Sequence, residues 1–193
     1  PILMDVPKWK FIAVSGRGNP NDQDGDYQKA VSTLYALSYT IKMLPKQGES
    51  VQGYFDYTVP PLEGFWWMEG INGVDYSNKS KFCWISLIRQ PEFVTKDIFD
   101  AVKKSASAKK RDIDFSKAEL IELEEGLCVQ CGHIGSFDNE PQTLKKMEMF
   151  MEHNNLISDI SDKRYHHEIY MSDPRKADIS KNKCILRLPV KRA

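Results

Sequence analysis

The sequence predicts an α+β protein: a duplicated strand–helix–strand–strand module with pseudo-twofold symmetry, its helices on one side of the sheet and a concave ligand pocket on the other. Three observations carry this. Strand-like and helix-like segments recur in the same order on either side of the middle of the chain. The first strand of each half runs into a glycine-bearing turn, "GRGNPND" and "GHIGSFDNE". Finally, 193 residues at 41% hydrophobic suit one compact domain, or two small halves sharing a core. The duplication is one of architecture more than of letters, since few identities align.

In the first half (about 8–90), "WKFIAVSGRG" (9–18) is apolar and β-branched and ends in glycines, so it reads as a strand entering a turn. From 26 to 45 the period changes. Tyr27, Ala30, Val31, Leu34, Tyr35, Ser38, Ile41 and Leu44 recur at three and four residues, giving an amphipathic helix that Pro45 stops. "VQGYFDYTV" (51–59), "LEGFWWMEG" (62–70) and "SKFCWISLIR" (80–89) read as strands. A connecting span (91–125) holds a helix over 95–110, with Thr95 as its N-cap, and an edge segment around Leu120, Ile121 and Leu123.

The second half (about 126–190) repeats the order. "GLCVQCGHIG" (126–135) is a strand ending in Gly135. "EPQTLKKMEMFMEHN" (140–154) is a helix, with Pro141 in its first turn and Leu144, Met147, Phe150 and Met151 as its apolar stripe. "RYHHEIYM" (164–171), followed by a turn, and "NKCILRLPV" (182–190) are strands. Each helix is expected on one face of its own sheet. The remaining faces would form a concave surface, and ligand sites favour such junctions.

Charge and composition exclude several classes. A net charge of zero argues against bulk attraction to nucleic acid or anionic membrane, so no direct nucleic-acid binding is expected. The basic run "KKSASAKKR" (103–111) reads as a solvated helix end, because no aromatic residues interleave. No apolar run approaches the ~18 residues of a membrane span. The start "PILMDVPKWK" lacks a basic end followed by a long apolar stretch, so no signal peptide is expected and a cytoplasmic protein is. The four cysteines, Cys83, Cys128, Cys131 and Cys184, read as buried thiols. "CVQC" has a redox or zinc spacing, but positions i and i+3 of a strand point to opposite faces, and no second ligand pair is present. "GRGNP" matches neither a P-loop nor a complete GxGxxG, and no serine sits in a nucleophile-elbow setting.

The segment "RYHHEIYMSDPR" carries the candidate chemistry. Side chains alternate faces along a strand, so His166, Glu168 and Tyr170 share one face, while His167, Ile169 and Met171 share the other. The apolar set suits the helix-covered face and the polar set the concave one. In "GFWWMEG", Phe65, Trp67 and Glu69 share one face and Trp66 and Met68 the other, so one tryptophan points away from the helices. Together the two strands could give a pocket with aromatic walls and two carboxylates. The spacing is equally compatible with Trp66 and Trp67 as core and edge residues and Glu168 as a salt-bridged structural acid. His133, at a strand end, could face the pocket or donate to backbone.

"TLYALSYTIKM" (33–43), "PLEGFWWMEG" (61–70), "EEGLCVQCGHIGSFDNEPQTLKKM" (124–147) and "HHEIYMSDPRK" (166–176), taken in order along nearly the whole chain, resemble the GyrI-like small-molecule-binding family in its stand-alone branch. The resemblance implies a duplicated strand–helix–strand–strand fold with a concave ligand pocket. It also implies a glutamate of the penultimate strand at the pocket centre, a position that Glu168 occupies. Relatives include ligand-sensing domains of multidrug-responsive transcription regulators, an inhibitor of DNA gyrase, and enzymes that hydrolyse cyclopropanoid genotoxins. Here residues 1–18 go straight into the first strand without a helix-turn-helix, so a direct transcription-factor role is not expected. The stretch "ADISKNKCILRLPV" departs from the Pro/Glu/Lys-rich approach to the last strand in many relatives.

Two functions follow from different classes. As a detoxifying hydrolase, the chain would add water across the strained ring of a planar toxin. Glu168 would be the general base, and Tyr170 the donor to the oxygen that gathers charge. Phe65, Trp66 and Trp67 would be stacking walls, with Glu69, His133 and His166 as further ligand contacts. No metal or organic cofactor is needed for that chemistry. As a binding module, a drug sink or a regulator of a partner such as gyrase, the same glutamate would pair with a cationic amphiphile in an aromatic cage. Either form would be a monomer or homodimer with a small hydrophobic or aromatic ligand.

Overall fold

The structure, a computed structural model, describes residues 1–71, 75–172 and 179–193. The chain runs β1 (Ile2–Val6), β2 (Trp9–Arg17), α1 (Asp26–Lys42), β3 (Leu62–Trp67), β4 (Cys83–Gln90), α2 (Lys96–Lys109), β5 (Glu119–Leu123), β6 (Gly126–Ile134), α3 (Glu140–His153), β7 (Leu156–Ser158), β8 (His166–Tyr170) and β9 (Lys183–Arg192). The turn expected over Asp173–Arg175, and residues 177 and 178 of the divergent stretch, lie outside the described residues. Among the described residues, three helices and one large antiparallel sheet make the fold α+β, as the sequence predicts.

The sheet order is β1-β6-β9-β8-β3-β4-β2-β5, with β7 pairing the far end of β9. In each half the first and second strands of the module flank the third, and β3 and β8 meet at the centre. β1 and β2 stand six strand positions apart, yet only Pro7 and Lys8 join them. In a flat sheet that gap would be ~29 Å, at ~4.8 Å per strand. Three Cα steps reach at most ~11 Å. β5 and β6 are likewise six positions apart and joined only by Glu124 and Glu125. The sheet must therefore curl into an open barrel, with both links crossing its mouth.

The two faces of this curled sheet are covered differently. On the convex face, Ile12, Val14, Trp84 and Ile88 pack with Leu34, Leu37 and Ile41 of α1 and with Phe99, Val102 and Ala106 of α2. Farther along the same face, Val129, Leu186 and Leu188 pack against Met147 and Met151 of α3. The concave face is filled by Phe11, Ala13, Phe65 and Leu87, with Leu123 and Tyr165 packed against them. The helices share one side, as expected.

Local signals explain the elements. Thr95 caps α2, its Oγ1 accepting the Ile98 N–H at 3.3 Å. Pro141 occupies the first turn of α3. α1 ends at Lys42, before a single 3-10 turn over Pro45–Gln47. Gly126, at φ +62°, takes the left-handed conformation that lets the Glu124–Glu125 link enter β6.

The segment 51–59, expected as a strand, has no sheet partner among the described residues. Its aromatic residues mimic β-propensity but serve another purpose. Tyr54, Phe55 and Tyr57 gather around Phe93 at 5.2–6.0 Å between ring centroids, while the Tyr54 hydroxyl donates to the Lys42 carbonyl. Two short strands, β1 and β7, were not expected. Both exist by pairing with a longer neighbour, β6 and β9 respectively.

Candidate active site

Cross-strand register decides where Glu168 looks. Glu168 pairs with Gly64 on β3 and with Leu186 on β9. Gly64 shares its face with Trp66, and Leu186 belongs to the core beneath α3. His166, Glu168 and Tyr170 therefore stand on the convex, helix-bearing face, the reverse of the sequence expectation. The pocket is there too. A cavity of about 810 Å³ opens between α1 and the start of α3. Tyr27, Val31 and Tyr35 form its α1 wall, Leu62 and Trp66 its β3 wall, and Phe137 and Glu140 its α3 end, with Glu168 and Tyr170 supplied by β8. The physical reason for the reversal lies on the other face. The barrel interior, not the helix layer, takes His167 and Ile169, because two carboxylates there meet the His167 ring at 3.0 Å.

Glu168 is buried, and one oxygen of its carboxylate is held by a hydrogen bond while the other has only a near neighbour off the hydrogen-bond line. The Tyr170 hydroxyl donates to Oε2 at 2.9 Å, and His166 Nε2 stands 3.3 Å from Oε1. Tyr170 in turn accepts a hydrogen bond from the Trp66 indole N–H at 2.9 Å. Burial, and then the Glu168 charge, push the Tyr170 phenol well above its ordinary range, so its proton stays in place. Tyr27 brings its hydroxyl against Tyr170 and Ser86, and burial likewise raises its phenol. Its ring lies 5.3 Å from both Trp66 and Trp84. The result is a chain, Trp66 to Tyr170 to Glu168, that points a fixed carboxylate at an aromatic cavity.

The other expected site residues are elsewhere. Phe65 packs inside the barrel, its ring 4.2 Å from that of His167. Trp67 stacks on Tyr165 at 4.3 Å, also on the interior side. Glu69 is at the surface, paired with Arg17. His133 is buried, with Nδ1 2.9 Å from Thr143 Oγ1 and Nε2 3.0 Å from the Ser136 carbonyl, so it ties a strand end to α3. Of the two tryptophans, Trp66 faces the cavity. Tyr27 and Tyr35 were legible only as part of the helical stripe, and Glu140 only as a helix start; no local signal marks them as pocket walls.

Among the described residues, one group of potential metal donors lies together: Glu140, Glu168 and Cys184, whose ligand atoms are within 4.8 Å of one another. Glu168 already accepts a hydrogen bond from Tyr170. Burial, with the charges of Glu168 and Glu140, raises the Cys184 thiol far above its usual range, which keeps it protonated. Cys128 and Cys131 pair with Pro189 and Leu186 respectively, and so stand on opposite faces of β6. Among the described residues, no helix is long and apolar enough to cross a membrane.

Comparison with known proteins matches this geometry to a group. The family model of the GyrI-like small molecule binding domain matches residues 1–191. A crystal structure of an uncharacterized conserved protein from Listeria innocua superposes with a TM-score of 0.91 at 48% identity, covering 98% of this chain and 91% of that one. A hydrolase from Listeria innocua, encoded by lin2189, gives a TM-score of 0.90 at 47% identity over the same shares of the two chains. A further hydrolase structure from Listeria innocua gives 0.88 at 45% identity, again over 98% and 91%. No match is found among curated proteins.

Proposed function

The chain belongs to the GyrI-like small-molecule-binding family, and from that premise we propose that it is a cofactor-independent hydrolase that detoxifies planar cyclopropanoid compounds by adding water across the strained ring. The observation that carries this reading is the Glu168 carboxylate, buried at the wall of a large aromatic cavity and held by the Tyr170 hydroxyl. Relatives at 45–47% identity that are named as hydrolases support it.

Glu168 takes a proton from a water as that water attacks the ring carbon. The carbon–carbon bond breaks, and its electron pair moves through the conjugated system to the carbonyl oxygen, which then takes up a proton; the net change is addition of H and OH. Tyr170 is a positioning residue here. Its single proton goes to Glu168, so it aims the base and does not donate to the substrate oxygen. Trp66 and Tyr27 give flat surfaces for the conjugated system. A water-poor wall strengthens each of these contacts.

The test is incubation with a cyclopropanoid drug, followed by mass spectrometry for the ring-opened, water-added product. Many turnovers per protein molecule are expected. A stable complex with unmodified drug would replace this reading with that of a binding module.

A further inference from the structure

Glu168 sits at the centre of a strand of five residues, and the face behind it carries a buried charge cluster that the chemistry above does not use. His167 is fully buried. Its Nδ1 lies 3.0 Å from Glu125 Oε2, and its Nε2 lies 3.0 Å from Glu63 Oε2, off the ideal hydrogen-bond line but close enough for an ion pair. Arg187 pairs with the other oxygen of Glu125, stands 3.5 Å from His167 Nδ1, and donates to Gln130 Oε1 at 3.2 and 3.3 Å. Glu63 is on β3, Arg187 on β9, Gln130 on β6 and Glu125 on the link across the barrel mouth. One imidazole ring thus ties its strand to Glu63 on β3 and to Glu125 on the link, and Glu125 passes the tie on to Arg187 of β9 through its other oxygen.

We propose that His167 is a positioning residue for Glu168: the Glu63–His167–Glu125–Arg187 cluster locks the register of β8, and through it the aim of the catalytic carboxylate. The β3–β8 pair at the sheet centre has only four registered residue pairs. A one-residue slip of a strand swaps its two faces, and here it would put His167 in the pocket and Glu168 in the barrel. Apolar packing alone would not forbid that slip, since both residues are polar. A ring that must meet two carboxylates does forbid it. The groups facing His167 are Glu63, Glu125 and Arg187 among the charged ones, with Gln130 and Phe65 beside them. Burial lowers the basicity of His167, but the hydrogen bonds and charges of Glu125 and Glu63 outweigh it and push its pKa up to about 9. The lock is therefore closed at neutral pH and loosens in alkali.

The kinetic arm rests on the hydrolase reading; a second arm does not. The indole N–H of Trp66 donates across the seam to Tyr170, so its NMR resonance, assigned with Trp66→Phe, reports β8 register without any turnover. In ¹⁵N-labelled protein that resonance should move as the pH rises through about 9. In folded His167→Gln and Glu63→Gln it should already be displaced at neutral pH. With a cyclopropanoid drug, both variants should lose ~10-fold or more in kcat with little change in KM, because the walls remain and only the aim is lost. An indole resonance that is flat with pH and unmoved in the folded variants overturns the lock; if neither variant folds, the wild-type titration alone decides. Wild-type protein without turnover, but with the expected indole shifts, removes the hydrolase reading and leaves the lock standing.

Discussion

Gly64 lies directly opposite Glu168 across the β3–β8 pair, and the space its absent side chain leaves is where the Trp66 indole meets the Tyr170 hydroxyl. A Cβ at Gly64 would fall 2.7 Å from Trp66 Nε1 and 3.1 Å from Tyr170 Oη. Trp66 is wedged between Tyr27 and Phe82, so it has no cheap retreat.

Gly64→Ala should therefore destabilise the fold by ~1–3 kcal/mol, the scale of an overpacked core, and should slow turnover by disturbing the bond that aims Glu168. The control is Gly132→Ala on β6, where an added Cβ meets nothing within 4 Å and φ is not left-handed. That change should be neutral, or stabilising by up to ~1 kcal/mol through the unfolded chain. Thermal melts of the two variants side by side check the contrast.

Tyr170→Phe removes one oxygen and two hydrogen bonds. The buried Trp66 N–H loses its acceptor, which should cost ~1–3 kcal/mol. Glu168 loses the donor that orients it, so turnover should fall while ligand affinity holds, because the ring still packs edge-on to Phe137 at 5.8 Å. Equal losses in affinity and rate would show that Tyr170 holds the ligand and not the base.

The fold was largely legible in the sequence, and the facing of the site was not. Helical period, Thr95 and Pro141 announced α2 and α3 because capping and periodicity are local physics. The aromatic stretch 51–59 misled because Tyr54, Phe55 and Tyr57 have strand propensity but no strand beside them. Alternation correctly grouped His166, Glu168 and Tyr170. It then failed on the rule that apolar residues go under helices. His167 belongs to a barrel interior that tolerates charge only because Glu63, Glu125 and Arg187, distant in sequence, meet it there. Nothing in a short window of sequence could supply those partners.

Stability should fall in alkali for a definite reason. His167 has its folded pKa raised from 6.5 to about 9, so its contribution is complete below the unfolded value of 6.5 and is lost as pH rises through about 9. The amount is on the order of a few kcal/mol, shared with Glu125 and Arg187. Melting temperature against pH should decline between about 6.5 and 9 in the wild type, and His167→Gln should flatten that decline. An identical alkaline decline in the variant would assign the loss to other groups.

Glu168→Gln separates catalysis from structure. Glutamine keeps the shape, and its carbonyl oxygen can still accept the Tyr170 proton, but it is no base. If Glu168 activates water, the rate of ring opening should drop by ~10²-fold or more, the usual scale for losing a general base. Affinity for the unreactive ring-opened product should change far less, since Trp66, Tyr27 and Val31 still form the walls. The melting temperature should hold or rise, because a carboxylate is no longer kept out of water for the sake of function. A structural acid would behave in the opposite order. Its hydrogen bond from Tyr170 would be the point of the residue, and weakening a buried charge-assisted hydrogen bond would cost stability, by ~1–3 kcal/mol. Rate per folded molecule would then be nearly unchanged. Parallel melts and single-turnover kinetics on the same preparation distinguish the two, and a variant that melts early yet turns over normally would remove Glu168 from the chemistry.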